Sequence, residues 1–387
     1  MVFSFNRLNL ALLLSCVMGM VALLPQLSSA QPGGSAVPFL LIAPNARADG
    51  MGEAGGGLAD DASAAHWNPA GLAFQTGQEV SLTHSNWLPQ FQQSDLFYEY
   101  LAYKNHMSDL GGTVSGSITF LNLGEFNETD VDPTVLRTFK AYEFGITAGY
   151  ATKVFDDFGL GLNIRYIRSS LAPFNVQNQN REGVASTISF DVATMWKPQN
   201  LELPLIGNIE DALSIGVNLS NLGPKLTYID AAQADPLPTN LRLGFGFHVL
   251  KSEYNNVTIA LDFNRLLVRR YPVVTDSAGN TVSAPPPDGL PKSLFSAWSD
   301  KGLKRVTIAT GFEYRYGKPE DFIVAIRSGY FYEAPDNGNR KFLTFGAGIR
   351  YDVYGFDFSY LSAVEENHPL AETLRFTLSI AWGGDEE

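Results

Sequence analysis

Strict alternation of apolar and polar positions runs through most of this 387-residue chain. In residues 159–168, Leu160, Leu162, Ile164 and Tyr166 alternate with Gly161, Asn163 and Arg165. Leu213, Ile215, Val217 and Leu219 alternate with Ser214, Gly216, Asn218 and Ser220, and residues 305–316, 354–360 and 374–382 repeat the pattern. A period of two marks strands with one apolar face. No comparably long segment carries the 3.6-residue period of a helix, so the pattern predicts an all-β chain.

The second face of these strands decides what the first is buried in. It is rich in Gly, Ser, Thr and Asn, with single charged residues spaced along it. A soluble sandwich would carry dense charge there, whereas a transmembrane barrel has an apolar outside, aromatic girdles and a polar lumen. Strands of roughly 11 residues at about 3.3 Å each, tilted near 40°, rise about 28 Å and cross a bilayer core. Trp87, Tyr150, Trp196, Tyr332, Tyr351 and Trp382 lie near strand ends and are candidates for the girdles.

Fourteen strands are predicted, near 79–87, 96–104, 112–122, 139–152, 157–170, 184–197, 211–221, 239–250, 254–268, 303–316, 320–332, 341–351, 354–363 and 372–382. Their connections alternate in length. The odd-numbered ones, such as 123–138, 222–238 and 269–302, are the longer set. The even-numbered ones, such as 153–156, 317–319 and 352–353, are mostly short, with 198–210 an exception. Long outer loops and short periplasmic turns are the habit of bacterial barrels, which places both termini in the periplasm. The reading is a transmembrane antiparallel β-barrel over residues 79–382, with residues 383–387 as a periplasmic tail.

Two segments fall outside the wall pattern. Residues 1–30 read as a cleaved secretory signal peptide: Arg7, an apolar run from Leu8 to Leu24, then Ser28-Ser29-Ala30. Residues 31–78 hold Gly and Ala clusters, Pro32, Pro38, Pro44 and Pro69, and no sustained alternation. Fed in from the periplasmic end, they are expected to fill the lumen as a plug, since side chains alone do not fill a large barrel.

Composition narrows the chemistry. Without the leader, 26 basic residues face 40 acidic ones, a net charge near −14. That is the wrong sign for a nucleic-acid binder. The one cysteine, Cys16, lies in the leader, leaving no thiol chemistry in the exported chain. The five histidines show no i, i+4 pair, and neither G-x-S-x-G nor a P-loop occurs. No catalytic residue, cofactor or metal is assigned. Gly50-Met51-Gly52-Glu53-Ala54-Gly55 matches G-x-G-x-x-G, but no strand pattern precedes it and no acid follows at the required distance. Glycines packing a plug tightly are the better reading.

Three sets of residues are candidates for function. Asn68, Pro69, Ala70 and Gly71 form a turn fit to anchor the plug, because Pro69 fixes its own φ and biases Asn68 away from helix. Arg165, Glu313, Arg315, Arg327, Arg350, Asp357 and Arg375 fall on the lumen face as a charge network, with Glu143, Asp191, Arg242 and Asp262 beside them. Tyr228, Leu237, Tyr271, Val273, Phe295 and Trp298 place apolar surface in the two longest connections. Exposed apolar surface of this kind marks interaction sites, so these residues are candidates for partner binding.

The block Phe39-Leu40-Leu41-Ile42-Ala43-Pro44-Asn45-Ala46-Arg47-Ala48-Asp49-Gly50-Met51-Gly52-Glu53-Ala54, followed by Trp67-Asn68-Pro69-Ala70-Gly71-Leu72-Ala73-Phe74, resembles the start of mature proteins of the PorV/PorQ family. Tyr354-Gly355-Phe356-Asp357-Phe358-Ser359-Tyr360-Leu361, Asn367-His368-Pro369-Leu370 and Thr373-Leu374-Arg375-Phe376 resemble its PorV branch. Asn-Pro-Ala is shared with long-chain fatty-acid transporters, whose barrels have fourteen strands and an N-terminal hatch. The resemblance implies a type IX secretion component in the outer-membrane lipid. Such a component binds the C-terminal β-domain of secreted proteins at the translocon barrel and carries them to a surface sortase complex, and is not itself an enzyme. The alternative it leaves is a channel for hydrophobic small molecules. One departure is that Gly383-Gly384-Asp385-Glu386-Glu387 follows Trp382, where such barrels commonly end on an aromatic residue.

Overall fold

A computed structural model describes residues 34–91, 95–129, 134–175, 182–203, 207–272, 274–275, 281–283, 285–318, 322–365 and 368–384. The predicted leader, Val273 and the last three residues of the tail lie outside them. Fourteen strands form one closed antiparallel barrel, as the alternation predicts. They are β1 Gln78–Asn86, β2 Phe97–Met107, β3 Gly112–Thr129, β4 Val135–Phe155, β5 Phe158–Asn175, β6 Glu182–Trp196, β7 Leu213–Leu222, β8 Asn240–Lys251, β9 Asn255–Leu266, β10 Val306–Lys318, β11 Phe322–Tyr332, β12 Lys341–Tyr351, β13 Tyr354–Ala363 and β14 Thr373–Trp382. Each pairs with its neighbours in sequence, and β1 closes on β14, with Val80 opposite Ile380.

Period two sorts the side chains. Leu82, Leu101, Ile118, Ile146, Leu162, Ile164, Phe345 and Leu378 stand exposed on the outside, while Ser81, Thr83, Ser117, Asn163, Asp191, Glu313, Arg327 and Thr377 are buried within. Phe97, Phe120, Tyr142, Phe144 and Tyr166 form an outward aromatic chain near the long-loop end. At the short-turn end, Tyr150 donates to the Leu110 carbonyl, Trp196 donates to Asp157, and Tyr351 and Trp382 are exposed. Two girdle expectations fail. Trp87 packs against the interior apolar cluster, and Tyr332 is buried, with Lys341 over its ring at 5.7 Å.

The structure also differs from expectation in three connections. β3 and β4 run on to Thr129 and from Val135, well past the expected 122 and 139. There the hairpin mixes a Phe126–Phe139 stack with Arg137–Glu128 and Lys140–Glu125 pairs, and Val135 and Leu136 are apolar neighbours, so strict alternation no longer marks it. The connection after β6 folds its own hairpin, Asn200–Leu203 with Gly207–Glu210. The stretch 269–302, irregular in sequence, contains helix Leu290–Ser296, with a proline in its first turn, where the missing N–H costs nothing.

One seam is incomplete. β6 pairs with β5 from Trp196 up to Glu182. With β7 it pairs only from Trp196 to Phe190, through an irregularity between Phe190 and Val192.

Candidate functional site

The segment that precedes β1 contacts the inward face of the wall. It contains α1 Ala46–Asp49, α2 Ala64–Trp67 and a 3-10 turn Pro69–Phe74. Helices this short do not hold by themselves, so the wall must supply the order. Glycines in and just after the G-x-G-x-x-G match allow that approach. Gly52 has φ +68°, and a Cβ there would fall 2.6 Å from the Tyr330 backbone nitrogen. A Cβ on Gly57 would strike the Phe245 backbone. Wall side chains then bond the segment's backbone. Gly52 donates to Thr344 Oγ1 at 2.8 Å, Ala46 donates to Thr377 Oγ1 at 2.9 Å, and Gly55 and Gly56 both donate to Asp262 Oδ2.

Asn68 is fully buried. Its amide donates to the Thr194 carbonyl of β6 at 3.1 Å and to the Gly56 carbonyl at 3.3 Å, and its Oδ1 accepts from the Ala70 amide at 3.0 Å. One side chain thus joins the turn, the glycine run and the wall. Pro69, Ala70 and Gly71 are buried beside it, with Gly161 of β5 giving the room that a Cβ would take from Pro69 and Ala70.

The lumen charges separate into several groups. Glu313 accepts from Arg47 Nε at 3.0 Å, Arg47 Nη2 at 3.1 Å and Arg327 Nε at 2.6 Å, with Arg315 Nε at 3.3 Å. Arg327 also donates to Asp357 at 2.8 Å, and Arg350 reaches the second oxygen of Asp357 at 2.5 Å. Asp60 accepts from Arg47 at 2.5 Å. Elsewhere Arg375 pairs with Asp49, Arg165 with Asp191 at 2.8 Å, and Arg242 with Asp262 at 2.9 Å. The sequence reading found the wall members and missed their partners Arg47, Asp49 and Asp60, because an irregular segment carries no period to orient its charges. Burial would raise the Asp60 carboxyl, but Arg47 outweighs it and holds it well below the usual carboxylate range. Glu53 has no such partner close by, and burial pushes it up to about 7 against the weaker pull of Arg340.

The two ends of the lumen differ. Toward the short turns lie a cavity of ≈ 330 Å³ lined by Lys197, His248, Lys251 and Arg315, and one of ≈ 210 Å³ lined by Arg47, Glu79 and Arg350. Both carry arginine and carboxylate side chains in their lining. Toward the long loops, Val37, Phe39 and Leu40 pack with Tyr98, Tyr100, Ile167, Ala185, Leu226 and Leu237. Leu237 is 1 % exposed. It therefore lends no surface to a partner, contrary to expectation, because connection 223–239 turns inward and closes over the N-terminal segment. Pro236 accepts from the Ala36 amide at 2.9 Å. Tyr228 is half-buried and donates to Ser169 at 2.8 Å.

Connection 269–302 supplies the exposed surface. Phe295 is 80 % exposed and Trp298 39 %. Asp288 organises this region, accepting from Tyr271 at 3.1 Å and Ser296 at 2.6 Å and pairing with Lys292 at 2.8 Å. Burial would raise the Asp288 carboxyl; the hydrogen bonds from Lys292, Ser296 and Tyr271 outweigh it and hold it below the ordinary range. Arg265 lies over the Trp298 ring at 5.4 Å. Lys225 donates to the Pro287 carbonyl at 2.6 Å, tying the two long connections together.

A closed fourteen-stranded barrel with these faces defines the class: an outer-membrane β-barrel of FadL-like fold. A FadL homologue of Pseudomonas aeruginosa is 14 % identical, covering 90 % of this chain and 99 % of its own at a TM-score of 0.50. The toluene transporter TbuX of Ralstonia pickettii is 12 % identical over 88 % and 98 %, TM-score 0.50. The toluene transporter TodX of P. putida is 10 % identical over 87 % and 98 %, TM-score 0.50. At such identities the likeness is one of fold. The family of type IX secretion system protein PorV matches residues 29–273, and the chain belongs to that family. No curated protein matches it.

Proposed function

We propose that this protein is a carrier in type IX secretion. It takes the C-terminal β-domain of secreted proteins as they leave the translocon barrel and delivers them to the surface sortase complex, without catalysing any step itself. Membership of the PorV family over residues 29–273 carries this reading. In it the short turns and both ends of the mature chain face the periplasm, and the long connections face outward. Residues 31–78 act as a plug, anchored by Asn68 and seated by the charges around Glu313. The exposed Phe295 and Trp298 are the part of the outer rim best suited to a protein partner.

A second reading, a channel for hydrophobic small molecules, draws on the fold shared with the toluene transporters. Against it, the ≈ 330 Å³ and ≈ 210 Å³ cavities carry lysine, arginine and carboxylate side chains in their lining, and the apolar cluster above them is packed shut. The test combines Phe295→Ser with Trp298→Ser and measures secreted protein captured by the tagged barrel from membranes. Capture should fall at least several-fold. Unchanged capture, together with loss of fatty-acid uptake in a strain deleted for the protein, would instead establish the channel.

A further inference from the structure

The incomplete seam is where the wall offers something an extended chain alone can take. β6 continues above Phe190, but its partner on the β7 side does not. After Leu222 the sequence reads Gly223-Pro224. Gly223 lies against the Ile188 carbonyl, close enough that a Cβ there would come within 2.5 Å of it. Pro224 has no N–H to continue a ladder, and the chain then turns inward to the Leu226–Asp235 bridge. Among the described residues, no strand pairs with 183–187 on that side.

Natural sheet edges protect themselves with lysine, proline, a bulge or a covering loop. This one carries Gly183-Val184-Ala185-Ser186-Thr187-Ile188, without charge or proline, between Glu182 and Asp191. Its composition favours strand. Its height is set by register: Ser186 stands opposite Arg168, which meets the hydroxyls of Tyr142 and Tyr166 in the outward aromatic belt. The open stretch therefore begins at the membrane surface and rises from it, where exposed backbone groups are tolerated and a soluble partner can reach them. Deeper in the bilayer they would not be tolerated. Behind the gap, Ala185 packs with Leu226 and Leu237, an apolar floor for the inward side chains of an incoming strand.

We infer that β6 residues 183–187 form a strand-addition site, on which a partner protein lays an extended segment antiparallel to β6, in line above β7. A lipid tail or a small hydrocarbon cannot match a row of N–H and C=O groups at strand spacing, whereas a β-strand does so residue for residue. This rests on the carrier reading, in which the partner strand belongs to the terminal β-domain of a secreted protein.

The test uses the full mature barrel in detergent micelles with an isolated C-terminal β-domain of a secreted protein. Hydrogen exchange at 183–187 should slow at least ten-fold on adding the β-domain. Val184→Lys combined with Ser186→Lys, both on outward positions, should weaken capture at least ten-fold while the heat-stable folded band is kept. Binding without protection at 183–187, or capture by the lysine variant equal to that of the parent, overturns the edge and leaves the carrier reading standing on the Phe295 rim. Protection that grows with barrel concentration in the absence of β-domain would assign the edge to a second copy and also overturn the inference. A parent barrel that captures no β-domain would defeat the carrier reading itself.

Discussion

The β10–β11 and β6–β7 seams are built from the same alternation and finish differently. β10 and β11 pair from Ile308 opposite Tyr332 to Lys318 opposite Phe322, and their inner faces carry Glu313 and Arg327, bonded to each other, with Glu313 also accepting from Arg47. β6 and β7 meet only below Phe190, and their inner faces bond the N-terminal segment through backbone carbonyls and amides, Thr194 and Asn218 among them. Buried charge lies at both: Asp191 of β6 pairs with Arg165 of β5 and accepts from the Asn221 amide of β7 where the incomplete seam ends. Only β10–β11 draws several arginines onto one carboxylate. Water reaching Glu313 and its arginines through a gap would weaken every pair in the group. At the incomplete seam Asp191 is already satisfied by Arg165 and the Asn221 amide, and the chain released beyond it becomes a cap over the lumen.

The comparison breaks most easily at Glu313. Glu313→Ala strands Arg47, Arg327 and Arg315 around one vacated site, and breaking a buried pair in this way costs about 3–5 kcal/mol. The expected outcome is a large fall in the urea midpoint and in the fraction of heat-modifiable barrel. An unchanged midpoint would mean that the ionic seam is ornamental. Asn68→Ala, at the incomplete seam, leaves the Ala70 amide and the Thr194 carbonyl without their partner, at about 1–3 kcal/mol for each buried group. The barrel should still assemble, but its N-terminal segment should loosen and ion conductance in planar bilayers should rise. Conductance equal to that of the parent would count against a plug.

The seams can also be compared directly without mutation. In the barrel alone, alternate amides of 183–187 point toward the missing neighbour and should exchange in seconds. Those of 326–330, paired on both sides, should hold for about hours, in keeping with the spread of local opening energies. Equal protection of the two stretches would close the β6 edge.

The wall was legible in the sequence because a bilayer outside and a polar lumen inside impose period two on every strand. Strand number and most boundaries follow from that constraint alone. It lapses where β3 and β4 leave the membrane, and the extension to Thr129 and Val135 is invisible for that reason. Glu313, Arg327 and Asp357 were recognisable as inward charges by their place in the alternation. Arg47, Asp49 and Asp60 were not, since their orientation depends on contacts made hundreds of residues away. Leu237 and Phe295 both read as apolar loop residues. Only the inward turn of connection 223–239 separates the buried one from the exposed one.

The smallest expected effect concerns Glu53, which lies in the N-terminal segment at φ +66°. Burial pushes its carboxyl up to about 7 from an ordinary value near 4.5. In the unfolded chain the group loses its proton first, so the folded state binds more protons between those two values. The sign follows: this residue favours the folded state fully below about pH 4.5, and that contribution fades as pH rises through about 7. Glu53→Gln imitates the protonated form, so it should be neutral at pH 4 and stabilising above pH 7, by roughly 1–3 °C in melting temperature for a chain of this size. Asp60 works in the opposite sense, because Arg47 depresses its carboxyl; Asp60→Asn should cost stability at pH 7 and lose that penalty as the pH falls below the ordinary carboxylate range. Opposite pH slopes, Glu53→Gln between pH 4 and 8 and Asp60→Asn between pH 4 and 2, read by thermal melts at pH 2, 4, 6 and 8, are the expected result. Parallel slopes would mean that the segment is not packed against the wall when these groups titrate, and that seating at Glu313 does not fix the segment as a whole.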